Sequence, residues 1–386
     1  MSATSSTGID PFELRASDAE LEDLRQRLRS TRWPERETVA DWSQGVPLAY
    51  LRELVGYWLH EYDWRARERG INRFPQFKVA VGGAQIHLYH VRSPHAHALP
   101  LIMTHGWPGS VVEFLEVLGP LTTPERFGGE PRDAFHVVAP SLPGYGFSDK
   151  PSERGCGVER IAALWDELMV RLGYASYFAQ GGDWGASVTT QIGVQNLGHC
   201  RGIHLNMPIA APRPGASQNP TAAEQAAFAA MDHYRRHESG YSTQQSTRPQ
   251  TLAYGLLDSP AAQCAWIIEK FWAWTDCDGR PENAVSRDQL LDNVMMYWLP
   301  GTAASSARLY WESFAGFRGG EQPAVRLPTG CSIFAKELSR PPREWVERRY
   351  TNLVYWNEVA QGGHFAALEQ PRLFVEELRR CFRMLR

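Results

Sequence analysis

Cysteine is sparse and scattered. The six in 386 residues (Cys156, Cys200, Cys264, Cys277, Cys331 and Cys381) include no Cys-x-x-Cys pair. That excludes the spacing of a disulfide framework or a structural zinc site and leads us to expect a reducing, cytoplasmic setting. An excess of charge of either sign is also lacking: 40 Lys and Arg against 43 Asp and Glu give a formal net charge of −3. Such a balance offers no electrostatic reason to bind nucleic acid or an anionic membrane. Residues 1–16 contain no long apolar run, so neither a secretory signal nor a membrane anchor is expected. No internal repeat and no low-complexity tract interrupts the chain.

Apolar residues are plentiful at 43%, with 14 tryptophans, enough for one large domain carrying additions. The aromatic content suits a deep apolar pocket and, equally, a bulky core. Ser17 and Glu20 have capping-box spacing, and Leu21, Leu24 and Leu28 follow on one helical face. A second amphipathic stretch runs through Leu48, Leu51, Val55, Trp58, Leu59 and Tyr62, and the segment 33–42 between the two reads as an extended meander. From Phe77 the period changes. Residues 77–81 and 86–91 alternate around Gly82-Gly83 as a hairpin, and 99–104, 135–139, 177–179 and 203–205 are short strand candidates. Helical stretches at 158–172 and 186–196 separate the later ones, which predicts an α/β fold with a mostly parallel, doubly wound sheet.

Residues 209–317 break that rhythm with a helix-rich stretch carrying Trp266, Phe271, Trp272, Trp274, Tyr297 and Trp298. The βα alternation resumes with a strand at 331–334, a helix at 343–349, a strand at 353–356 and a last helix from Pro371. The expected organisation is therefore an N-terminal helical and meander region (1–76), a first part of the core (77–208), a helical lid (209–320) and a second part of the core (321–386).

The strongest local signal is Gly181-Gly182-Asp183-Trp184-Gly185, placed between a strand and a helix. A nucleophile elbow needs small residues two before and two after the attacking group, because helix and strand backbones nearly touch there. The central residue is Asp183, and a carboxylate can displace a leaving group at saturated carbon to form an ester that water then cleaves. The competing reading is an aspartate that merely caps the following helix. His105-Gly106-Trp107-Pro108-Gly109-Ser110 follows the strand ending at Thr104. In the α/β-hydrolase fold that loop and the residue after the nucleophile supply the oxyanion donors, which assigns the backbone N–H groups of Trp107 and Trp184. An ordinary Gly-Pro turn is the alternative.

Gly362-Gly363-His364-Phe365 lies between the last strand and the last helix, where a base can reach the elbow; otherwise His364 is a structural histidine. The orienting acid should follow a late strand. Asn206 cannot serve as an anion, whereas Glu337 has the chemistry and the place, unless it is one more surface charge beside Lys336, Arg340, Arg343 and Glu344.

Taken in order, these pieces resemble the microsomal-type and juvenile-hormone-type epoxide hydrolases. The resemblance rests on Trp33-Pro34, the His105–Ser110 loop, Pro143-Gly144-Tyr145-Gly146-Phe147-Ser148, the elbow, Leu257-Asp258-Ser259-Pro260, Asn293-Val294-Met295-Met296-Tyr297-Trp298, Pro328-Thr329-Gly330 and Gly362-Gly363-His364-Phe365. It covers nearly the whole chain. It implies an α/β-hydrolase fold and conversion of an epoxide to a vicinal diol through an alkyl ester on Asp183, with Glu337 as the acid and His364 as the base. It also implies two lid tyrosines that donate to the epoxide oxygen, the first best matched by Tyr241, with Tyr234 and Tyr254 competing with it, and the second by Tyr310. Microsomal relatives carry an N-terminal anchor, and this chain starts almost at the matching Asp10-Pro11-Phe12, so a soluble enzyme is expected.

The expected partners are a small epoxide, of aryl or bulky apolar type, and water. Trp107 and Trp184 are expected to contact that substrate. No metal or organic cofactor is called for. Among assemblies, a homodimer is the candidate. The family's range extends to bacterial natural-product biosynthesis, including enediyne-type members. Two rivals stand beside this reading: a haloalkane dehalogenase with the same Asp-His-acid triad, and a non-catalytic ligand-binding member of the fold.

Overall fold

The computed structural model describes residues 8–317 and 322–386. Its strands are β1 (Ile9–Phe12), β2 (Gln76–Val81), β3 (Ala84–Val91), β4 (Leu99–Thr104), β5 (Phe135–Pro140), β6 (Tyr177–Gly181), β7 (Cys200–Leu205), β8 (Thr329–Lys336) and β9 (Leu353–Gly363). They form one sheet in the order β1-β2-β3-β5-β4-β6-β7-β8-β9. The pairings from β5 onward are parallel and the first three antiparallel. This is the mostly parallel sheet expected of an α/β-hydrolase. Leu101, Ile102 and Met103 in β4 and Val137, Val138 and Ala139 in β5 are fully buried, as parallel strands inside a layered fold must be.

Among the elements outside the expectation from sequence are an edge strand and a short helix near the N-terminus. β1 pairs antiparallel with β2, Pro11 opposite Phe77, at the sheet edge where the missing proline N–H costs nothing. The helix Trp64–Ile71 is short, and Asp63 caps it by accepting the Ala66 N–H. The segment 33–42 carries no helix or strand, in keeping with the meander. Several strands run longer than their apolar cores suggest. Pairing, not composition, carries β6 through Gly181, which sits in register with Thr104 of β4 and Leu205 of β7. The consequence is functional: the ends of β4, β6 and β7 finish side by side.

Between β7 and β8 the described chain is helical: Ala222–His233, Gly240–Thr247, Pro249–Asp258, Pro260–Trp274, Arg287–Trp298 and Ala303–Phe317, with a π-helical turn at Tyr234–Glu238. The boundary expected at 320–321 and the first seven residues lie outside the described residues. The N-terminal section braces this helical layer. Arg67 grips Asp292 with two guanidinium nitrogens, Nε at 3.0 Å and Nη2 at 2.5 Å, and the Tyr62 hydroxyl donates to the same carboxylate at 2.8 Å. Among the described residues, no helix is long and apolar enough to cross a membrane.

Candidate active site

β6 ends at Gly181 and the next helix begins at Trp184, leaving Asp183 on the turn between them with φ 51° and ψ −126°. A non-glycine residue with positive φ is strained and must be held by its surroundings. A β-carbon on Gly185 would run into the Thr104 carbonyl, and one on Gly181 into the Gly185 carbonyl, so glycine is required on both sides. Asp183 occupies the N-cap position, yet its side chain makes no capping bond. It turns away from the helix. Oδ1 accepts the Trp107 N–H at 2.8 Å, and Oδ2 lies 3.3 Å from Nε2 of His364. The capping alternative therefore fails on geometry.

Trp107 comes from the loop after β4, and Trp184 opens the helix that follows Asp183. His364 directly follows β9, and Glu337 directly follows β8. Nδ1 of His364 lies 2.7 Å from Oε1 of Glu337, which also accepts the Leu338 N–H at 2.6 Å. A carboxylate at Nδ1 fixes the proton there and leaves Nε2 facing Asp183. The helical layer also holds the histidine. Its backbone N–H donates to the Trp274 carbonyl at 2.9 Å, and its ring stands edge-on to the Trp274 indole at 5.2 Å. Burial opposes charge on this imidazole, but the Glu337 carboxylate and the Asp183 contact outweigh it and hold its pKa well above the usual histidine range.

Tyr241 enters from the helix Gly240–Thr247, just past the π-helical turn, and its ring stacks on Trp107 at 4.7 Å. Tyr310, from the helix Ala303–Phe317, stands edge-on to Trp184 at 4.7 Å, and the two phenol rings are 5.7 Å apart. Burial pushes both phenols well above their ordinary pKa, so they stay protonated donors. Tyr234 is drawn in as well, its hydroxyl 3.0 Å from that of Tyr241. Tyr254 is not, being 71% exposed. Tyr234, Tyr241 and Tyr310 line a cavity of about 190 Å³ with Asp183, Trp184, Ser187, Met207 and Phe314.

Three nearby residues escaped the reading of the sequence. Trp274 stands in the sequence only as one aromatic of the helix-rich stretch, and Gln180 falls just past the strand expected at 177–179. Glu113 had one: Ser110-x-x-Glu113 is a capping box, and its carboxylate accepts the Ser110 N–H at 3.0 Å. Burial pushes the Glu113 carboxyl up to about 8, with His364 pulling down and Asp183 pushing up.

Comparison with known proteins gives consistent findings. Residues 9–114 match the model described as epoxide hydrolase N terminus, and residues 100–238 match that of the alpha/beta hydrolase fold. The chain is 53% identical to a protein of Stigmatella aurantiaca provisionally named an epoxide hydrolase, over 98% of this chain and 86% of that one. It is 34% identical to epoxide hydrolase 1 of Sus scrofa, over 99% of this chain and 90% of that one. The crystal structure of juvenile hormone epoxide hydrolase from the silkworm Bombyx mori superposes with a TM-score of 0.90 at 30% identity, covering 98% of this chain and 95% of that one.

Proposed function

The chain belongs to the epoxide hydrolase family, and from that premise we propose a two-step reaction in which Asp183 is the nucleophile. The observation that carries it is the placement of one carboxylate between a phenol-lined cavity and a histidine–glutamate pair. Oδ1 is held by the Trp107 N–H, so Oδ2 attacks an epoxide carbon. The C–O bond breaks, and Tyr241 or Tyr310 gives a proton to the departing oxygen. The product of this step is a hydroxyalkyl ester of Asp183. Neutral phenols suit the task because they donate strongly to a developing alkoxide without competing with it as anions.

Ester formation removes the Asp183 charge. One of the two carboxylates that favour a proton on His364 is then gone, so the imidazole is readied as a base when one is needed. His364 takes one proton from water, the hydroxide oxygen adds to Cγ, and the Trp107 and Trp184 N–H groups receive the oxyanion. Collapse breaks the bond from Cγ to the alkyl oxygen and expels the diol, and the second water proton passes from the new carboxyl oxygen to the departing alkoxide. The proton on His364 replaces the one the phenol gave, so one epoxide and one water yield one vicinal diol.

The lining of Trp184, Met207, Phe314 and the tyrosine rings favours an aryl or bulky apolar epoxide. The phenols also favour this chemistry over dehalogenation, since halide release needs no acid. We read the helical segment 209–320 as the lid that carries these phenols over a core formed by 77–208 and 321–386, with 1–76 bracing it.

The deciding experiment uses His364→Gln with an aryl epoxide. About one equivalent should be consumed before the reaction stalls, and the peptide containing Asp183 should gain the mass of one substrate. A mass gain on a different peptide would sink the assignment of the nucleophile.

A further inference from the structure

Asp183 lines a second, much smaller chamber on its other side, of about 20 Å³, shared with His364, Glu113, Gln180 and Asn206. One water needs about 10–15 Å³ and two to four polar partners. The chamber therefore has room for a single water and none for substrate. Its polar wall is built from adjacent strands. Gln180 lies in β6 and Asn206 directly follows β7, and the Gln180 side-chain N–H donates to the Asn206 carbonyl oxygen at 2.6 Å. That bond leaves Oε1 of Gln180 and Nδ2 of Asn206 buried without partners among the described residues. Rotating both amides exchanges their roles but still leaves one acceptor and one donor. A buried donor and a buried acceptor cost about 1–3 kcal/mol each unless something satisfies them, and both residues line the chamber, where one water can serve both.

From this we infer that Gln180 and Asn206 form a dedicated binding site for the hydrolytic water, behind the nucleophile and apart from the substrate cavity. The inference rests on the proposed two-step reaction. His364 lines this chamber and is absent from the lining of the larger cavity, so the base and the water meet in this chamber and not in the phenol-lined one. Water reaches Cγ of the ester from the rear, gives one proton to Nε2 of His364, and leaves its oxygen on Asp183. The alkyl part need not move first. His105 does not compete for this water: Nδ1 lies 2.9 Å from the Gly106 carbonyl and Nε2 accepts the Leu142 N–H at 3.2 Å. Gln180 and Asn206 are thus positioning residues, acting through water and not on the epoxide.

The test follows both half-reactions in single turnover by mass spectrometry of the Asp183 peptide. Gln180→Met keeps the side-chain length but removes the amide. Ester formation should stay within about twofold, ester breakdown should slow by about 10–100-fold, and ester should accumulate at steady state. Asn206→Ser, which retains a donor and an acceptor, should keep breakdown within about fivefold. If both steps fall together, or if breakdown is unchanged in Gln180→Met, the water site is overturned while an ester on Asp183 still upholds the nucleophile. Absence of any ester on Asp183 would instead overturn the two-step reading itself. Should Gln180→Met not fold, a high-resolution crystal structure of the wild-type enzyme decides. A water bonded to both amides supports the site, and an empty or apolar-filled chamber overturns it.

Discussion

The Trp107 N–H donates to Oδ1 of Asp183 at 2.8 Å. In the proposed reaction this N–H is one donor for the oxyanion, already aimed at the carboxylate so that little reorganisation is needed. The same bond divides the carboxylate into an oxygen held by the loop and one, Oδ2, that faces His364 and is the attacking atom of the proposed reaction.

Asp183→Asn preserves this shape and removes the charge that attacks. Turnover should fall by about 10⁴–10⁶-fold, with the thermal unfolding curve little changed. Mass spectrometry must show that Asn persists, since deamidation regenerates the nucleophile. Sustained activity with intact Asn would rule out covalent catalysis by this residue.

Tyr241 and Tyr310 converge on one cavity, 5.7 Å apart ring to ring. Each single Phe variant should slow ester formation modestly, because the second phenol still donates. The double variant should lose about 10²–10⁴-fold. Tyr234→Phe removes only the hydroxyl bonded to Tyr241 and should be milder than Tyr241→Phe. The reverse ranking, in stopped-flow measurements of ester formation, would exchange the roles of Tyr234 and Tyr241.

Glu337 raises the proton affinity of His364, so removing its charge must lower it. In Glu337→Gln the pH at which ester breakdown reaches its plateau should move to lower pH. The plateau itself should be slower, because the imidazolium formed during water activation loses its charge partner. A single-turnover pH profile identical to wild type would mean that a different carboxylate serves His364.

Asp292 ties the N-terminal section to the helical layer through Arg67 and Tyr62. The Asp292 side chain is nearly fully buried, while a third of the Arg67 side chain stays exposed. The cost of Asp292→Ala should therefore lie below the ~3–5 kcal/mol of a fully buried pair, at about 2–3 kcal/mol. Urea unfolding measures it directly, and a change under about 0.5 kcal/mol would show that this contact does not hold the two regions together.

What the sequence determined by itself is local. The glycines around Asp183 mark a turn too tight for side chains, and the loops holding Trp107, Glu337 and His364 each follow an apolar run that can only be a strand. Chain order alone then lays these groups along the strand ends. What lies across the sheet and under the helical layer was decided by tertiary structure. Tyr234, Tyr241 and Tyr254 are equivalent as letters, and the π-helical turn before Tyr241 and the packing beyond it bury Tyr241, half-bury Tyr234 and leave Tyr254 in solvent. Gln180, Asn206 and Glu113 are polar residues at unrelated positions. They share a chamber only because β6 pairs with both β4 and β7, a pairing between distant segments that no local pattern encodes.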